Sequence, residues 1–462
     1  MRLAEGNSLG MGRFEIVQSE TDIVTSHSGL ALIGQALRHT HLARDLGAIP
    51  QRHGIAHADC VASYIGLLAT GKSDFDAIEN RREDVFFKAA LGLGTVPSAP
   101  SLRQRLDEHA STMIPIVDRA SIDFLARVGA QVTPLVVREG AGLRPRKVKY
   151  TPLDIDVTPF DNSRTKKEGV SWTYKGFDGF APIAAYLGEE GWCLGLELRP
   201  GSQHSQAEIG HFLERALPRA KRLSRHPLLG RLDAGNDAAE TRAIFDDSGD
   251  AFILKWNPRK QDLVGWLKRA ETDAVWTSPR EGKRVGVFSQ TIEEEFGCKT
   301  RTFRRVVRVV ERTIDRDGNT LLVPDIALEG WWTSLPEALV DEEQVIALYR
   351  AHGTSEQFHS EFKTDLDIER LPSGKFATND LVLACAVLTY NILRWIGQVG
   401  LTGRDSPVRH QAKRRRLRTV MQEVMGLAAR VVESGRRLGL KFSSHCPAFP
   451  SFSALYGRLC PS

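Results

Sequence analysis

The stretch that decides the fold reads Leu153-Asp154-Ile155-Asp156-Val157-Thr158. Apolar and polar residues alternate strictly along it, and this period of two predicts a β-strand with one buried face. Asp154 and Asp156 both fall on the polar face of that strand. The residues alone leave open which of the two aspartates carries chemistry and which is only solvated.

Outward from this strand, strand patterns and helix patterns alternate along the chain. The predicted elements after it are strands at 181–187 and 192–198, a helix at 205–223, a buried strand at 228–233, a short helix at 236–245 and a strand at 252–256. Three early strands joined by turns, followed by alternating helices and strands, indicate a mixed sheet covered by helices. The sequence therefore predicts an α/β core.

The flanking regions have other patterns. Helical spacing dominates residues 28–125, where Ser98 begins an N-capped helix with arginines on one face, an arrangement that suits helix-turn-helix DNA binding. A turn signal at 315–319 between two β-rich runs indicates a β-rich insertion, and the apolar run 380–396 indicates a core helix. The predicted organisation is an N-terminal arm (1–25), a helical DNA-binding domain (26–145), the first part of the α/β core (146–257), a β-rich insertion (258–340), the second part of the core (341–400) and a basic helical C-terminal segment (401–462).

Composition bounds the class of protein. A chain of 462 residues is expected to form two to four domains. The chain contains no uncharged apolar run of about 18 residues, so no membrane span is predicted. Its N-terminus is polar, so no secretory signal is predicted. The six cysteines form no Cys-x2-Cys pair, which argues against a zinc site or a disulfide framework and favours a reducing cytoplasm.

Positive charge is concentrated at the C-terminal end. Residues 401–462 contain 12 Lys and Arg against 3 Asp and Glu, a net charge of +9, so the rest of the chain carries −4 of the total of +5. Such a segment is typical of a protein that contacts a phosphate backbone. We expect the helix that begins in this run to contact DNA phosphates through Lys413, Arg414, Arg415, Arg416 and Arg418.

Two further acidic positions could complete a site with Asp156. Asp233 ends the buried strand pattern just before Gly235, where α/β sheets present functional groups, and Asp237 is a weaker rival. The third acid lies in the segment from Tyr349 to Lys363. At about 100° per residue on a helix, Glu356 falls within about 60° of Tyr349, His352 and Lys363, whereas Glu361 falls on another face. Gly353 is a place where this helix could kink or begin.

Three carboxylates on rigid elements suit divalent-metal chemistry on phosphodiesters. They can hold two Mg²⁺ ions about 4 Å apart, which activate a water or a 3′-hydroxyl and stabilise the leaving oxygen. Mn²⁺ is expected to substitute for Mg²⁺. Alternatives are a hydrolase that uses two of the acids for acid–base work, such as a glycosidase, and a DNA-binding repressor that does not cut. The basic segment counts against the glycosidase.

These residues resemble the DDE transposases of bacterial insertion sequences. Residues 153–158 look like the first catalytic strand, and Leu232-Asp233-Ala234-Gly235 looks like the second. Tyr349, Glu356 and Lys363 fall in register with the signature Tyr-x2-Arg-x3-Glu-x6-Lys, in which His352 replaces the arginine. Blocks similar to one subgroup, which has a β-rich insertion, lie at 166–170, 174–176, 198–205, 357–363 and 370–374.

The resemblance implies an RNase H-like mixed five-stranded sheet flanked by helices, with an N-terminal all-helical domain, a β-rich insertion and a helical basic C-terminus. It implies a transposase that binds terminal inverted repeats in double-stranded DNA, with Asp156, Asp233 and Glu356 holding Mg²⁺, and it favours Asp156 over Asp154. Relatives hold a flipped base with aromatics of the insertion, for which Trp331 and Trp332 are the candidates. Cleavage of two ends implies a homodimer in the DNA complex, in a bacterial cytoplasm at the nucleoid. Another RNase H-like nuclease, or an inactive transposase derivative, remains an alternative.

Overall fold

The structure is a computed structural model that describes residues 15–51, 53–139, 146–435 and 437–460. The first 14 residues of the predicted N-terminal arm and residues 140–145 of the predicted helical domain lie outside the described residues. A short strand, β1 (Ile23–Thr25), precedes the helical region.

Helices fill the N-terminal region, as predicted. They are α1 (Leu30–Arg38), α2 (Leu42–Gly47), α3 (His57–Leu68), α4 (Val85–Leu91) and α5 (Ala99–Arg127). The Ser98 side chain caps α5 by accepting from the Ser101 backbone N–H, and Pro100 lies in its first turn, where a missing N–H costs nothing. The strand β2 (Leu135–Glu139) follows and pairs antiparallel with the next strand of the chain.

The α/β core follows the predicted order of elements. It comprises β3 (Arg146–Val157), β4 (Phe160–Asp161), β5 (Ser171–Trp172), β6 (Asp178–Phe180), β7 (Ile183–Leu187), β8 (Trp192–Glu197), α6 (Ile209–Leu223), β9 (Leu228–Leu232), α7 (Ala239–Ser248) and β10 (Ala251–Lys255). Neighbouring strands run in the order β8-β7-β3-β9-β10, antiparallel on the β7 side of β3 and parallel on the β9 side. The predicted mixed sheet with helices is confirmed. The polar turn predicted after β3 contains a small separate sheet, β4-β6-β5.

The β-rich region does not stand apart from this sheet. It comprises α8 (Leu263–Asp273), β11 (Val275–Arg280), β12 (Lys283–Phe296), β13 (Lys299–Ile314) and β14 (Thr320–Thr333). Residues 331–333 at the end of β14 pair with β10 as well as with β13, so the meander continues the central sheet to ten strands. The five strands of the predicted core therefore form part of a larger sheet, which the predicted β-rich insertion extends through β14.

The third acidic segment is not one regular helix. It runs through α9 (Glu342–Arg350), a 3₁₀ turn (Ala351–Thr354), α10 (Ser355–Ser360) and a π-helical turn (Glu361–Asp365). The uniform 100° spacing expected from Tyr349 to Lys363 is therefore wrong in detail. The winding tightens around Gly353, which supplies no side chain to hold the α-helical turn, and it loosens again at Glu361.

The long apolar helix α11 (Phe376–Gly400) is the predicted core helix, and it packs along α5. Its length and composition would suffice to cross a membrane, but 83% of its apolar window is buried inside the protein. This packing also joins the N-terminal helices to the α/β core, because residues of both contribute to one hydrophobic cluster.

The C-terminal segment is only partly helical, which corrects the prediction. It comprises α12 (Leu417–Val420), a π-helical turn (Met421–Met425), β15 (Ala429–Ser434), β16 (Arg437–Lys441) and α13 (Phe449–Leu459). β15 pairs with both β16 and β1, so the two ends of the described chain share a three-stranded sheet. Alternation in residues 429–434, with Val431 buried opposite Ile23, favours the strand.

Candidate active site

Asp156 lies next to the last residue of β3, and both of its carboxylate oxygens accept hydrogen bonds. The Val157 backbone N–H donates to Oδ1 over 2.8 Å, and His359 Nε2 lies 3.1 Å from Oδ2. No arginine or lysine is paired with Asp156 among the described residues. The carboxylate is therefore oriented without being neutralised by a permanent cation.

Asp154, two residues earlier on the same face of β3, is in a different situation. It is buried and forms a two-pronged ion pair with Arg231 of β9, with N–O distances of 2.6 and 2.8 Å. Arg231 also donates to the Leu348 carbonyl. A buried aspartate that is satisfied by a buried guanidinium has little capacity left for a metal ion. The geometry therefore favours Asp156 over Asp154 as the site residue.

Asp233 immediately follows β9, so the parallel pairing of β3 with β9 brings it to the same sheet edge as Asp156. Burial and, after it, the negative charge of Asp156 raise the pKa of Asp233 to about 6. Asn236 donates to Oδ1 over 2.7 Å. Its rival Asp237 instead pairs with Arg242 over 2.6 Å. Asp233 is thus a half-buried carboxylate with an unfavourable charge beside it.

Glu356 lies in the first turn of α10 and reaches the same region electrostatically. The Tyr174 hydroxyl, which donates to the Val157 carbonyl over 3.1 Å, serves as a reporter. Tyr174 as a whole is 65% exposed, but burial of its hydroxyl end raises its pKa, and the negative charges of Asp156, Asp233 and Glu356 add to that rise in this order. The helix that carries Glu356 contacts Asp156 through His359.

The other residues of the third segment also line this region. Tyr349 is buried with its ring 4.5 Å from that of His352, and the positive charge that His352 can carry lowers the pKa of Asp233. Lys363 Nζ donates to the Pro159 carbonyl over 2.6 Å, just beyond β3. Burial lowers the pKa of Lys363, and Glu369, Glu356 and Asp156 oppose that shift. Lys363 thus lies beside the chain that follows β3, and His352 lies near enough to Asp233 to affect its pKa.

The donor set fits a hard divalent cation. Carboxylate oxygens are the ligands that Mg²⁺ prefers, and a cation between Asp156 and Asp233 would relieve the repulsion that raises the pKa of Asp233. Within the described part of the chain, however, no three His, Cys, Asp or Glu side chains lie close enough together to form a complete metal site. The acids therefore affect one another electrostatically, but their side chains are not arranged as the ligands of one metal site.

The two tryptophans that were expected to stack on a flipped base are buried. Trp331 packs near Tyr349, with ring centroids 6.1 Å apart, and Trp332 lies against the guanidinium groups of Arg242 and Arg305 at 4.3 and 4.7 Å. Both belong to the part of β14 that pairs with β10, which encloses them in the sheet. A base could reach them only after a rearrangement of this region.

Most of the predicted DNA-contacting arginines serve the protein itself. Arg414 donates to the Glu189 carbonyl and lies over the Phe358 ring. Arg415 is buried and donates to backbone carbonyls, including that of Leu401, and Arg416 pairs with Asp365 over 2.9 Å. Lys413 and Arg418 remain exposed, although Lys413 lies 3.2 Å from a Glu189 carboxylate oxygen. The arginines of the basic run therefore mainly hold segments of this chain together.

Sequence reasoning missed Tyr174, Tyr186 and His359. The first lies in a block that was noted only for its resemblance, Tyr174-Lys175-Gly176. His359 on α10 also lies in such a block, 357–363, whereas Tyr186 on β7 lies in none, and neither residue carries a spacing signal. Their proximity to Asp156 arises from strand pairing and helix docking, so only the tertiary structure reveals it.

A family model described as "Transposase DDE domain group 1" matches residues 16–462, a range that includes Asp156, Asp233 and Glu356. No curated protein matches the chain. Among solved structures, the chain is similar to a piggyBac transposase in a synaptic complex with hairpin DNA, with 11% sequence identity and a TM-score of 0.37. That similarity covers 79% of this chain and 73% of the other.

Proposed function

The chain therefore belongs to the transposase DDE family, and we propose that it is an active DNA transposase of a bacterial insertion sequence, in which Asp156, Asp233 and Glu356 form the catalytic site. Two contacts support this proposal: the parallel pairing of β3 with β9 sets Asp156 beside the strand that ends at Asp233, and His359, one turn after Glu356 on α10, lies 3.1 Å from Asp156. The three acids are 77 and 123 residues apart along the chain, so local spacing does not account for this arrangement. Membership of the family implies nuclease and strand-transfer chemistry in general.

In the proposed mechanism, Asp156, Asp233 and Glu356 would hold two divalent ions, Mg²⁺ or Mn²⁺, which would supply activation of the attacking hydroxyl and stabilisation of the leaving oxygen. Asp156 and Asp233 are set by adjacent parallel strands, so the rigid sheet fixes their relative position. Glu356, on α10, would be the third ligand. His352 and Lys363 lie on opposite sides of Glu356 in the chain and bind the scissile phosphate, while Tyr349 packs against the His352 ring and holds it.

The helical region at 26–145 would bind the terminal inverted repeats of the element, and two chains would act on its two ends as a homodimer, at the bacterial nucleoid. Trp172 is a better placed stacking surface for an extruded base than Trp331 or Trp332. All eight tryptophans lie within the described ranges, and among them Trp172 is the exposed one, with 64% of its surface accessible to solvent. It stands two residues from Tyr174, whose hydroxyl donates to the carbonyl of Val157, the neighbour of Asp156. An aromatic face there would offset part of the cost of unstacking a base.

A cleavage assay tests the proposal. DNA carrying the element ends should be cut by the wild-type protein with Mg²⁺ or Mn²⁺ and not with EDTA, and Asp233→Asn should bind the same DNA without cutting it. Asp237→Asn is the matched control, because Asp237 lies four residues away and is engaged by Arg242. Cutting that survives EDTA or Asp233→Asn would refute the mechanism. Binding without cutting by the wild type would instead identify a repressor.

A further inference from the structure

His359 forms a buried bridge between Tyr186 and Asp156. Its Nδ1 lies 3.1 Å from the Tyr186 hydroxyl oxygen, and its Nε2 lies 3.1 Å from Asp156 Oδ2. Only 4% of His359 and 1% of Tyr186 are exposed. The residue opposite Asp156 on β7 is Ala184, whose small side chain leaves room over the carboxylate.

The two contacts fix the imidazole ring between a carboxylate and a hydroxyl. Nε2 of His359 faces the Asp156 carboxylate, which only accepts hydrogen bonds, so Nε2 donates to Oδ2. The Tyr186 hydroxyl contacts the other ring nitrogen, Nδ1, and holds the ring in this orientation. Because the Val157 N–H already holds Oδ1, the carboxylate of Asp156 is fixed at both oxygens. Each oxygen retains a lone pair for a cation.

The same contact also ties down the element that carries Glu356. Helix α10 is only six residues long, has no side-chain N-cap, and lies between a 3₁₀ turn and a π-helical turn. Its own hydrogen bonds therefore fix its position weakly. His359, one turn after Glu356, connects α10 directly to β3 through Asp156. Aromatic contacts of Tyr186 with His359 and Phe358 hold the same helix face.

We propose that His359 is a positioning residue of the active site, which orients Asp156 and docks the Glu356 helix onto β3, with Tyr186 holding its ring in place. This inference rests on the proposed function, since it concerns how the same acids bind a divalent cation. Groups that orient metal-binding carboxylates commonly contribute 10- to 100-fold to metal affinity.

The test is Mn²⁺ binding by the full chain without DNA, measured by titration calorimetry. We expect His359→Ala to bind Mn²⁺ about 10- to 100-fold more weakly than wild type. His359→Gln, whose amide N–H can reach Asp156, should recover part of that loss. Tyr186→Phe keeps the ring but removes the hydroxyl that contacts Nδ1, and it should weaken binding by a smaller factor.

Tyr390→Phe is the matched control, because Tyr390 is an equally buried neighbour of Tyr186 whose hydroxyl bonds with Gly191 and Arg394 instead. It should leave the Mn²⁺ affinity unchanged. Wild-type affinity in both His359→Ala and Tyr186→Phe, or an equal loss in Tyr390→Phe, would overturn the proposal. If the wild type binds no Mn²⁺ and Asp156→Ala behaves identically, the proposed function fails as well. Thermal unfolding of each variant separates lost folding from lost affinity.

Discussion

Two sets of acids lie side by side in this fold and have opposite surroundings. Asp154 and Glu361 are each buried against an arginine, Arg231 and Arg394 respectively. The second set comprises Asp156, Asp233 and Glu356. Asp156 lies two residues from Asp154, Glu356 lies five residues from Glu361, and Asp233 lies across the β3–β9 pair from Asp154. None of the second set has an arginine partner among the described residues. Whether a carboxylate is held in an ion pair or left open to another ligand therefore depends on the arginine that a neighbouring element supplies, more than on its own position in a strand or helix.

The largest expected difference is between Asp156→Ala and Asp154→Ala. Asp156→Ala should fold and lose DNA cleavage below detection, since a proposed metal ligand is removed. Asp154→Ala leaves Arg231 buried without its partner and should lower the free energy of unfolding by about 3–5 kcal/mol. Urea unfolding and Mg²⁺-dependent cleavage, measured on both variants, check this. A stable, inactive Asp154→Ala beside an active Asp156→Ala would exchange the two roles.

Glu361 and Glu356 give the same contrast on the helical side. Glu361 and Arg394 are each at most 1% exposed, so Glu361→Gln should cost about 3–5 kcal/mol of unfolding free energy. The double variant Glu361→Leu with Arg394→Met should recover much of it, because an apolar pair leaves no unmatched charge. Glu356→Gln should unfold at the wild-type urea concentration and fail to cut. Similar urea midpoints for Glu361→Gln and Glu356→Gln would remove the distinction between the two sets.

Asp233 should make stability depend on pH in the opposite sense to an ion-paired aspartate. Its folded pKa of about 6 lies above the usual 3.8, so the folded protein binds more protons between these values and loses stability as pH rises through that window. At pH 7, Asp233→Asn should therefore be more stable than wild type by about 1–2 kcal/mol of unfolding free energy, and it should unfold at a higher temperature. The difference should shrink towards pH 4.

Mn²⁺ provides the internal control for that measurement. At pH 7 it should raise the unfolding temperature of the wild type, because it binds the folded state alone, and it should raise that of Asp233→Asn much less. Asp237→Asn, which disrupts the pair with Arg242, should lose stability instead of gaining it. A wild-type stability that does not change between pH 4 and 7 without metal would contradict the raised pKa.

Local periodicity was enough to predict the mixed sheet, the order of the core elements and α11. Alternation in residues 153–158 and the continuous apolar run of 228–232 are local properties that survive in the folded chain. The extension of the sheet by β14 was not predictable in this way, because pairing of Lys255 with Trp331 joins residues 76 positions apart. The same reason hid the sheet between β1 and β15.

The site could be predicted only as a set of residue types and positions. The sequence marks Asp156, Asp233 and Glu356, but it treats Asp154 and Asp156 alike, since both lie on one strand face. Their separation depends on Arg231, which the register of β9 places opposite Asp154. The uniform helix assumed for the third segment failed because the winding changes to 3₁₀ at Ala351–Thr354 and to π at Glu361–Asp365. Gly353 was the one local sign of the first change, and the sequence carried no sign of the second.

The smallest expected effect concerns the basic run, where the same rule applies with the charges reversed. Arginines that already have partners in the protein should add little to DNA affinity, so Arg415→Ala should destabilise the fold and leave the salt dependence of DNA binding unchanged. Lys413→Ala with Arg418→Ala removes the two exposed cations and should lower the slope of log affinity against log salt by at most about 2. Binding of a duplex with the element ends, measured from 50 to 300 mM salt, checks this. If instead Arg415→Ala lowers the slope, the contacts between the basic run and the rest of the chain must break when DNA binds, and its arginines must then bind phosphates in place of backbone carbonyls.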